Sequence, residues 1–441
     1  MATSDGPPRA ALGLATAIAI VAGNMIGSGL FLLPASLAPY GPAALLGWGA
    51  SAFGGLALAF VFAGLGRRLP CSGGPYAFAR AAFGDGTGFA IAWSYWVSIW
   101  CANAAIAVAF AGYLGSLFAP AASAIGAPIA ALGALWACTL ANALGVRSAG
   151  VVQLVTTIMK LLPLLVLVLL AAPELPRAQW QPFNRSGDDL WSVALSTTAL
   201  TLWAFLGVES ATVVAQDVEQ PRRNLPRATL IGSAIAIVVT VLACSVVGAI
   251  VPADALAASA APFADAASRL WGGKAGTLFA ATAAIACFGA LNGWVLLQGQ
   301  LPLAAARDGV LPAWFARVDA RGTPLQGLVA GSVLASALVL ANYRQDLVGV
   351  FTFSILLSTA ACLLPYVVCS AAALRGARGA TASGTRGARA IAAFAFAFSI
   401  AALVGTGAKA LLWGAVLIAA GWPIRWYQRR ASRVNRAATP R

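Results

Sequence analysis

Apolar residues along this chain come in blocks of about 20, separated by short polar stretches rich in arginine, glycine and proline. A helix of that length, rising about 1.5 Å per residue, crosses the roughly 30 Å of hydrocarbon in a bilayer. The blocks predict twelve helices, at about 12–37, 43–65, 86–117, 125–145, 150–171, 191–216, 229–250, 275–304, 325–342, 347–374, 390–406 and 410–426. They use the whole chain as one bundle and leave no room for a second domain. The first block is long, and no small-residue cleavage site follows it. It reads as a retained helix and not as a signal peptide.

Composition agrees with the pattern. Of 441 residues, 60% are hydrophobic and only 9% charged, and the mean hydropathy is +0.84. A soluble protein carries about 25% charged residues. This chain cannot cover itself with a wetted surface, which excludes a cytosolic enzyme, a secreted domain and a nucleic-acid binder. The formal charge of +15 does not reopen that last class. Threading the twelve spans puts 21 basic residues on the side of the termini and six on the other, while the acidic residues divide evenly. Positive loops stay in the cytoplasm, so both termini are expected inside. The charge then faces the anionic inner leaflet of the lipid bilayer.

There is no histidine, so histidine metal sites, haem ligation and a Ser-His-Asp triad are excluded. Cys71, Cys101, Cys138, Cys244, Cys287, Cys362 and Cys369 lie mostly inside apolar blocks, with no metal-ligand spacing and no disulfide framework. No cofactor or metal is expected. Two charges fall mid-span: Lys160 in span 5 and Glu209 in span 6. Ionisable groups at membrane depth cost several kcal/mol and are functional candidates. Without histidine, Glu209 is the expected acid-sensitive element.

Two spans carry sequence that resists a continuous helix. Span 1 contains Gly23-Asn24-Met25-Ile26-Gly27-Ser28-Gly29, and span 6 contains Phe205-Leu206-Gly207-Val208-Glu209-Ser210. Each interior glycine lowers helix propensity by about 1 kcal/mol. Backbone freed inside a membrane must face a cavity or a ligand. Gly54-Gly55, by contrast, reads as a helix-packing surface. The two interruptions lie 180 residues apart, and each opens a set of five spans. Paired interrupted segments in corresponding positions mark inverted-repeat secondary transporters. N–H groups near Ser28 and Gly29 would suit a carboxylate, and the C-terminal carbonyls of the inner halves would suit an α-amino group. Trp203 precedes the span 6 interruption, Trp294 follows Asn292-Gly293 in span 8, and Tyr95, Trp96 and Asn103 share span 3. An indole there can pack, gate or hold a cation by its face. Trp48, Trp271, Trp422 and Trp426 read as an interfacial belt.

These segments carry a resemblance. GNMIGSGLFLLP, SGGPYAFAR, TLWAFLGVESA, AQDVEQPRRNLPRAT, NGWVLLQGQ and TPLQGL, in that order, resemble the amino acid–polyamine–organocation superfamily. Within it the chain is most similar to the bacterial basic amino acid/polyamine antiporters, the arginine/agmatine exchangers in particular. The resemblance runs from about residue 10 to 425. It implies an all-α, LeuT-type fold of five-plus-five inverted repeats (about 12–171 and 191–374) plus two C-terminal helices. It implies a bacterial inner-membrane protein, often a homodimer, exchanging arginine for agmatine or a related amino acid–amine pair.

Motif by motif, it implies that Asn24, Met25, Gly27, Ser28 and Gly29 meet the substrate's carboxylate and amine ends. Trp203 would stack on the substrate chain, with Ser98, Ile99, Asn103, Ile106, Leu206 and Ser358 lining the side-chain pocket. Trp294 would be a middle gate, Tyr95, Glu209 and Tyr366 an inner gate, and Tyr76 would sit near the intracellular path. Ser98, Ile99 and Ile106 depart from the arginine/agmatine pattern, TLWAFLG is closer to the putrescine/ornithine exchanger, and Asn292 replaces a glycine. Lys160, in the context MKLLPL, resembles sodium-independent and proton-coupled relatives in which the lysine stands in for a sodium ion. That leaves a proton-coupled uptake permease as the alternative. A membrane enzyme would need a polar catalytic cluster, and a channel would need a ring built by oligomerisation.

Overall fold

The computed structural model describes residues 12–26, 29–70, 73–144, 161–171, 173, 182–213, 215, 218–320, 322–341, 346–376 and 386–426. Every predicted span holds helix. Span 1 is α1 (Leu14–Met25) and α2 (Gly29–Leu37), span 2 is α3 (Ala44–Arg68), and the amphipathic α4 (Pro75–Phe83) precedes span 3, α5 (Asp85–Leu117). Span 4 is α6 (Gly126–Ala143), and the described part of span 5 is α7 (Leu161–Ala171). Span 6 is α8 (Leu190–Trp203) and α9 (Ser210–Val213), followed by α10 (Pro221–Ile250) as span 7. Then come α11 (Ala253–Ala257), α12 (Pro262–Trp271), α13 (Gly273–Arg307), α14 (Leu325–Ala341), α15 (Leu347–Arg375), α16 (Arg386–Gly405) and α17 (Gly407–Ala419).

The differences from the hydropathy pattern have local causes. α10 begins eight residues before its apolar block, because Pro221 starts a helix in which its missing N–H costs nothing. The stretch between spans 7 and 8 is not a plain loop. α12 buries Phe263, Ala266 and Ala267 on one face, a pattern too short for a spanning block. α8 starts at Asp189, whose carboxylate accepts from the N–H groups of Trp191 and Ser192. The Ser192 hydroxyl, which also donates to this carboxylate at 2.6 Å, and then those N–H bonds hold the Asp189 carboxyl below its ordinary value. This cap is therefore complete above the usual carboxylate range and is lost as pH falls through the lowered value.

The packing partners repeat. α1 lies against α10 as α8 lies against α3, α5–α6 is matched by α13–α14, and α6–α13 by α14–α5. These equivalences give a LeuT-type five-plus-five bundle, with α16 and α17 outside it. α5 is the central post, buried along nearly its whole length between α13 and α15.

Close approach is bought with small residues. A Cβ on Gly54 would lie 2.2 Å from the Phe398 ring, and one on Gly55 would lie 3.3 Å from Phe205. Ser51 adds a polar tie, with its hydroxyl 2.7 Å from that of Thr201. Trp48 corrects the expected belt. It is buried, with its ring 5.9 Å from that of Phe205, because the turn of span 6 fills the space beside α3. Trp271, Trp422 and Trp426 are exposed. The six described cysteines are buried, with no disulfide among the described residues.

Candidate functional site

The chain leaves the helix at both interruptions, and the two meet. In span 1, Ile26 still bonds back to Ala22 at 2.8 Å, but its φ of −79° and ψ of 62° end α1. Gly27 and Ser28 lie outside the described residues, and α2 resumes at Gly29. In span 6, Ala204, Phe205 and Leu206 bond back three residues, to Thr201, Leu202 and Trp203, so α8 tightens before it ends. Gly207, at φ +101°, then turns the chain, and Ser210 bonds back to it at 2.9 Å to start α9. The free carbonyl end in span 6 therefore belongs to α8. That corrects the expectation that inner halves supply both such ends: span 6 crosses in the opposite sense to span 1, so α1 and α8 reach the interruptions from opposite sides and cannot both be inner.

A Cβ placed on Gly207 would lie 3.3 Å from Cβ of Asn24, and one on Gly293 would lie 4.0 Å from the Asn24 side-chain oxygen. Asn24 thus sits between the span 6 interruption and α13, with Met25 buried beside it. Gly207 combines a φ that L residues avoid with a contact that leaves no slack. Gly207→Ala should cost about 1–3 kcal/mol. It is expected to lower the thermal midpoint of the purified protein. An unchanged midpoint would show that the turn is not tightly held.

Below the turn, Glu209 is fully buried and accepts on both oxygens: from Tyr95 of α5, and from Tyr366 of α15 at 2.6 Å. No lysine or arginine among the described residues pairs with it. Three elements far apart in sequence converge on one carboxylate whose neighbours are phenols. Nearer the loops, Tyr76 donates to Asp308 at 2.9 Å, and Arg80 donates to the Asp308 carbonyl at 3.2 Å, tying α4 to the end of α13.

The polar side of the site is built by a residue that the sequence reading passed over. Gln298 lies one turn after Trp294 on α13. Its amide nitrogen donates to the Leu328 carbonyl at 2.8 Å and to Ser332 at 2.9 Å. A carbonyl can only accept, so the other end of that amide is its oxygen. That oxygen accepts from the Asn103 nitrogen at 2.8 Å. Asn103 is consequently fixed with its oxygen free, buried and without a partner. The Trp203 indole N–H is likewise buried and unpartnered. Trp203 and Trp294 are each only 6% exposed. A buried acceptor left unmet costs about 1–3 kcal/mol, so a ligand that donates to Asn103 is favoured by that amount. The sign that identifies Gln298 in sequence is a glutamine one helical turn from Trp294 in an apolar span.

The other expected pocket residues divide. Ile99, Ile106 and Leu206 are buried on or beside α5 and the span 6 turn. The hydroxyls of Ser98 and Ser358 are spent on backbone: Ser98 donates to Tyr95 at 2.7 Å and Ser358 to the Ser98 carbonyl at 2.8 Å, stitching α5 to α15. Asn292 accepts from Asn142 of α6 at 2.8 Å, so it braces α13 where a glycine would leave a gap. Lys160 lies outside the described residues.

A family model described as amino acid permease matches residues 12–427. The chain belongs to the amino acid permease family. It is therefore a multi-pass transporter of the amino acid–polyamine–organocation superfamily. Curated relatives narrow the branch. The putrescine transporter PotE of Escherichia coli K12 is 32% identical over 407 residues, covering 91% of this chain and 92% of its own. The cadaverine/lysine antiporter of the same organism is 34% identical over 367 residues, covering 80% of this permease and 81% of its own chain. The Haemophilus influenzae PotE is 30% identical over 407 residues, covering 91% and 93%.

Proposed function

We propose that this permease exchanges a cationic amino acid for its decarboxylated amine by alternating access about the Asn24–Gly207 contact. The observation that carries the reading is the orientation of Asn103, whose lone oxygen calls for a donor-rich substrate end such as an ammonium or guanidinium. An apolar side chain would leave that acceptor unmet. The indole of Trp203 and the Glu209 carboxylate suit the same cation. Similarity to a putrescine transporter and to a cadaverine/lysine antiporter supports a lysine/cadaverine or putrescine-containing pair over the arginine/agmatine pair that the motifs suggest. The repeats would span about 12–171 and 191–374, and the arginine-rich side, with both termini, would face the cytoplasm. Protease accessibility of the C-terminal tail in vesicles of known sidedness tests that orientation.

The deciding measurement is uptake of labelled putrescine, cadaverine, lysine, ornithine, arginine and agmatine into liposomes, either empty or loaded with the partner compound. Exchange predicts uptake only into loaded liposomes. Accumulation in empty liposomes under a pH gradient would replace it with proton-coupled uptake. A cation on an indole face is worth roughly 0.5–2 kcal/mol. Trp203→Leu should therefore weaken cationic substrates by about 3- to 30-fold, and Trp203→Phe less. Unchanged diamine affinity in Trp203→Leu would remove the indole from the cation site.

A further inference from the structure

A second recess lies away from the transport site, where the ends of α3, α10, α15 and α16 come together. It has a volume of about 390 Å³. Arg67, Arg68, Arg375 and Arg389 line it, and no carboxylate does. Among the described residues none of the four is ion-paired; Arg375 lies 4.8 Å over the Phe83 ring. Deeper along the same helices the lining is apolar, with Phe60, Leu230, Leu374 and Ile391. On α3 the sequence of depths is explicit: Phe60, Gly64 and Arg68 fall at successive turns of one face. Phe60 is 50% exposed.

Two glycines of α3 show that the recess is a vacancy in the packing. Gly54 is filled by the Phe398 ring of α16. Gly64, further along the same helix toward Arg68, has nothing within 4 Å of an added Cβ. Among the described residues, none fills the wall beside Gly64. Four unpaired cations at the helix ends over an apolar trough require an occupant with an anionic head and a hydrocarbon tail. A free phosphate would satisfy only the rim. Arginine grips phosphate oxygens with two parallel N–H bonds, and basic pockets between membrane helices on the cytoplasmic side hold anionic lipid headgroups.

We infer that this recess is a binding site for one anionic phospholipid, with its phosphate on Arg67, Arg68, Arg375 and Arg389 and an acyl chain against Phe60, Gly64 and Leu230. The assignment to the inner leaflet rests on the proposed orientation; the lipid class does not. The bound lipid wedges α3 and α10 against α15 and α16.

The test uses the full chain, purified in detergent and exchanged into mixed micelles of phosphatidylglycerol and phosphatidylcholine. Lipid retained after washing is measured by mass spectrometry. Retention of about one phosphatidylglycerol per chain is expected, with phosphatidylcholine washed out. Each arginine near the headgroup is worth about fivefold in affinity, so the double variant Arg68→Gln/Arg389→Gln should lose the lipid. Gly64→Leu, which fills the trough and keeps every charge, should lose it as well. That variant also serves if the double variant does not fold. Retention of both lipids alike, retention by Gly64→Leu and the double variant at the wild-type level, or displacement of phosphatidylglycerol by inorganic phosphate would each overturn the inference.

Discussion

Glu209→Gln is expected to give a folded protein that exchanges cationic substrates roughly 30- to 1,000-fold more slowly than the parent. The amide keeps one acceptor for one phenol, and the hydroxyl of the other can rotate to accept from the new N–H, so both contacts survive the change. What is lost is the charge. A unit charge pair at about 4–8 Å and an effective dielectric constant near 20 is worth about 2–4 kcal/mol, which sets the range. The pH profile of exchange should flatten as well, since the chain contains no histidine to carry it. Rates from pH 5 to 8 in liposomes, with circular dichroism to confirm the fold, decide the matter. A wild-type rate with a wild-type profile would remove Glu209 from the transport cycle.

Asn103→Leu should weaken diamine and cationic amino acid binding by about 10- to 100-fold, because a hydrogen bond to a charged group is worth roughly 1.5–3 kcal/mol. Binding of a neutral amino acid such as leucine should not fall with it. Gln298→Leu tests how that oxygen is aimed. It removes the group that holds the Asn103 amide one way round, and it frees the Leu328 carbonyl and Ser332. Cation-over-neutral selectivity should drop by several-fold through the same term, even though Gln298 is a positioning residue that orients Asn103. Calorimetric titration with putrescine and leucine separates the two effects. If Gln298→Leu loses stability while its selectivity is intact, the network is structural only.

Most of the architecture could be read from the chain. Among the described residues each of the twelve apolar blocks holds helix, because membrane thickness sets the length of a span and hydrocarbon forbids unpaired backbone. The interruptions were legible because GNMIGSG and FLGVES put glycine and polar groups where no helix needs them. α12 was hidden, since a ten-residue amphipathic helix leaves no spanning block. Trp48 was misread for a related reason: hydropathy gives depth along a span but not the direction a side chain faces.

The polarity of the site belongs to the tertiary structure. The sequence supplied Asn103 as a polar residue in an apolar span, but an amide offers both a donor and an acceptor. Which end is free was decided by the Leu328 carbonyl, passed through Gln298 from α14 to α13 to α5. The same holds for Tyr95, Glu209 and Tyr366, whose side chains meet from positions 114 and 157 residues apart. Helix length and helix breaks are properties of consecutive residues, so the sequence by itself determined them. The direction of a hydrogen bond and the surroundings of a charge depend on which helices pack together, and only the folded bundle decides that.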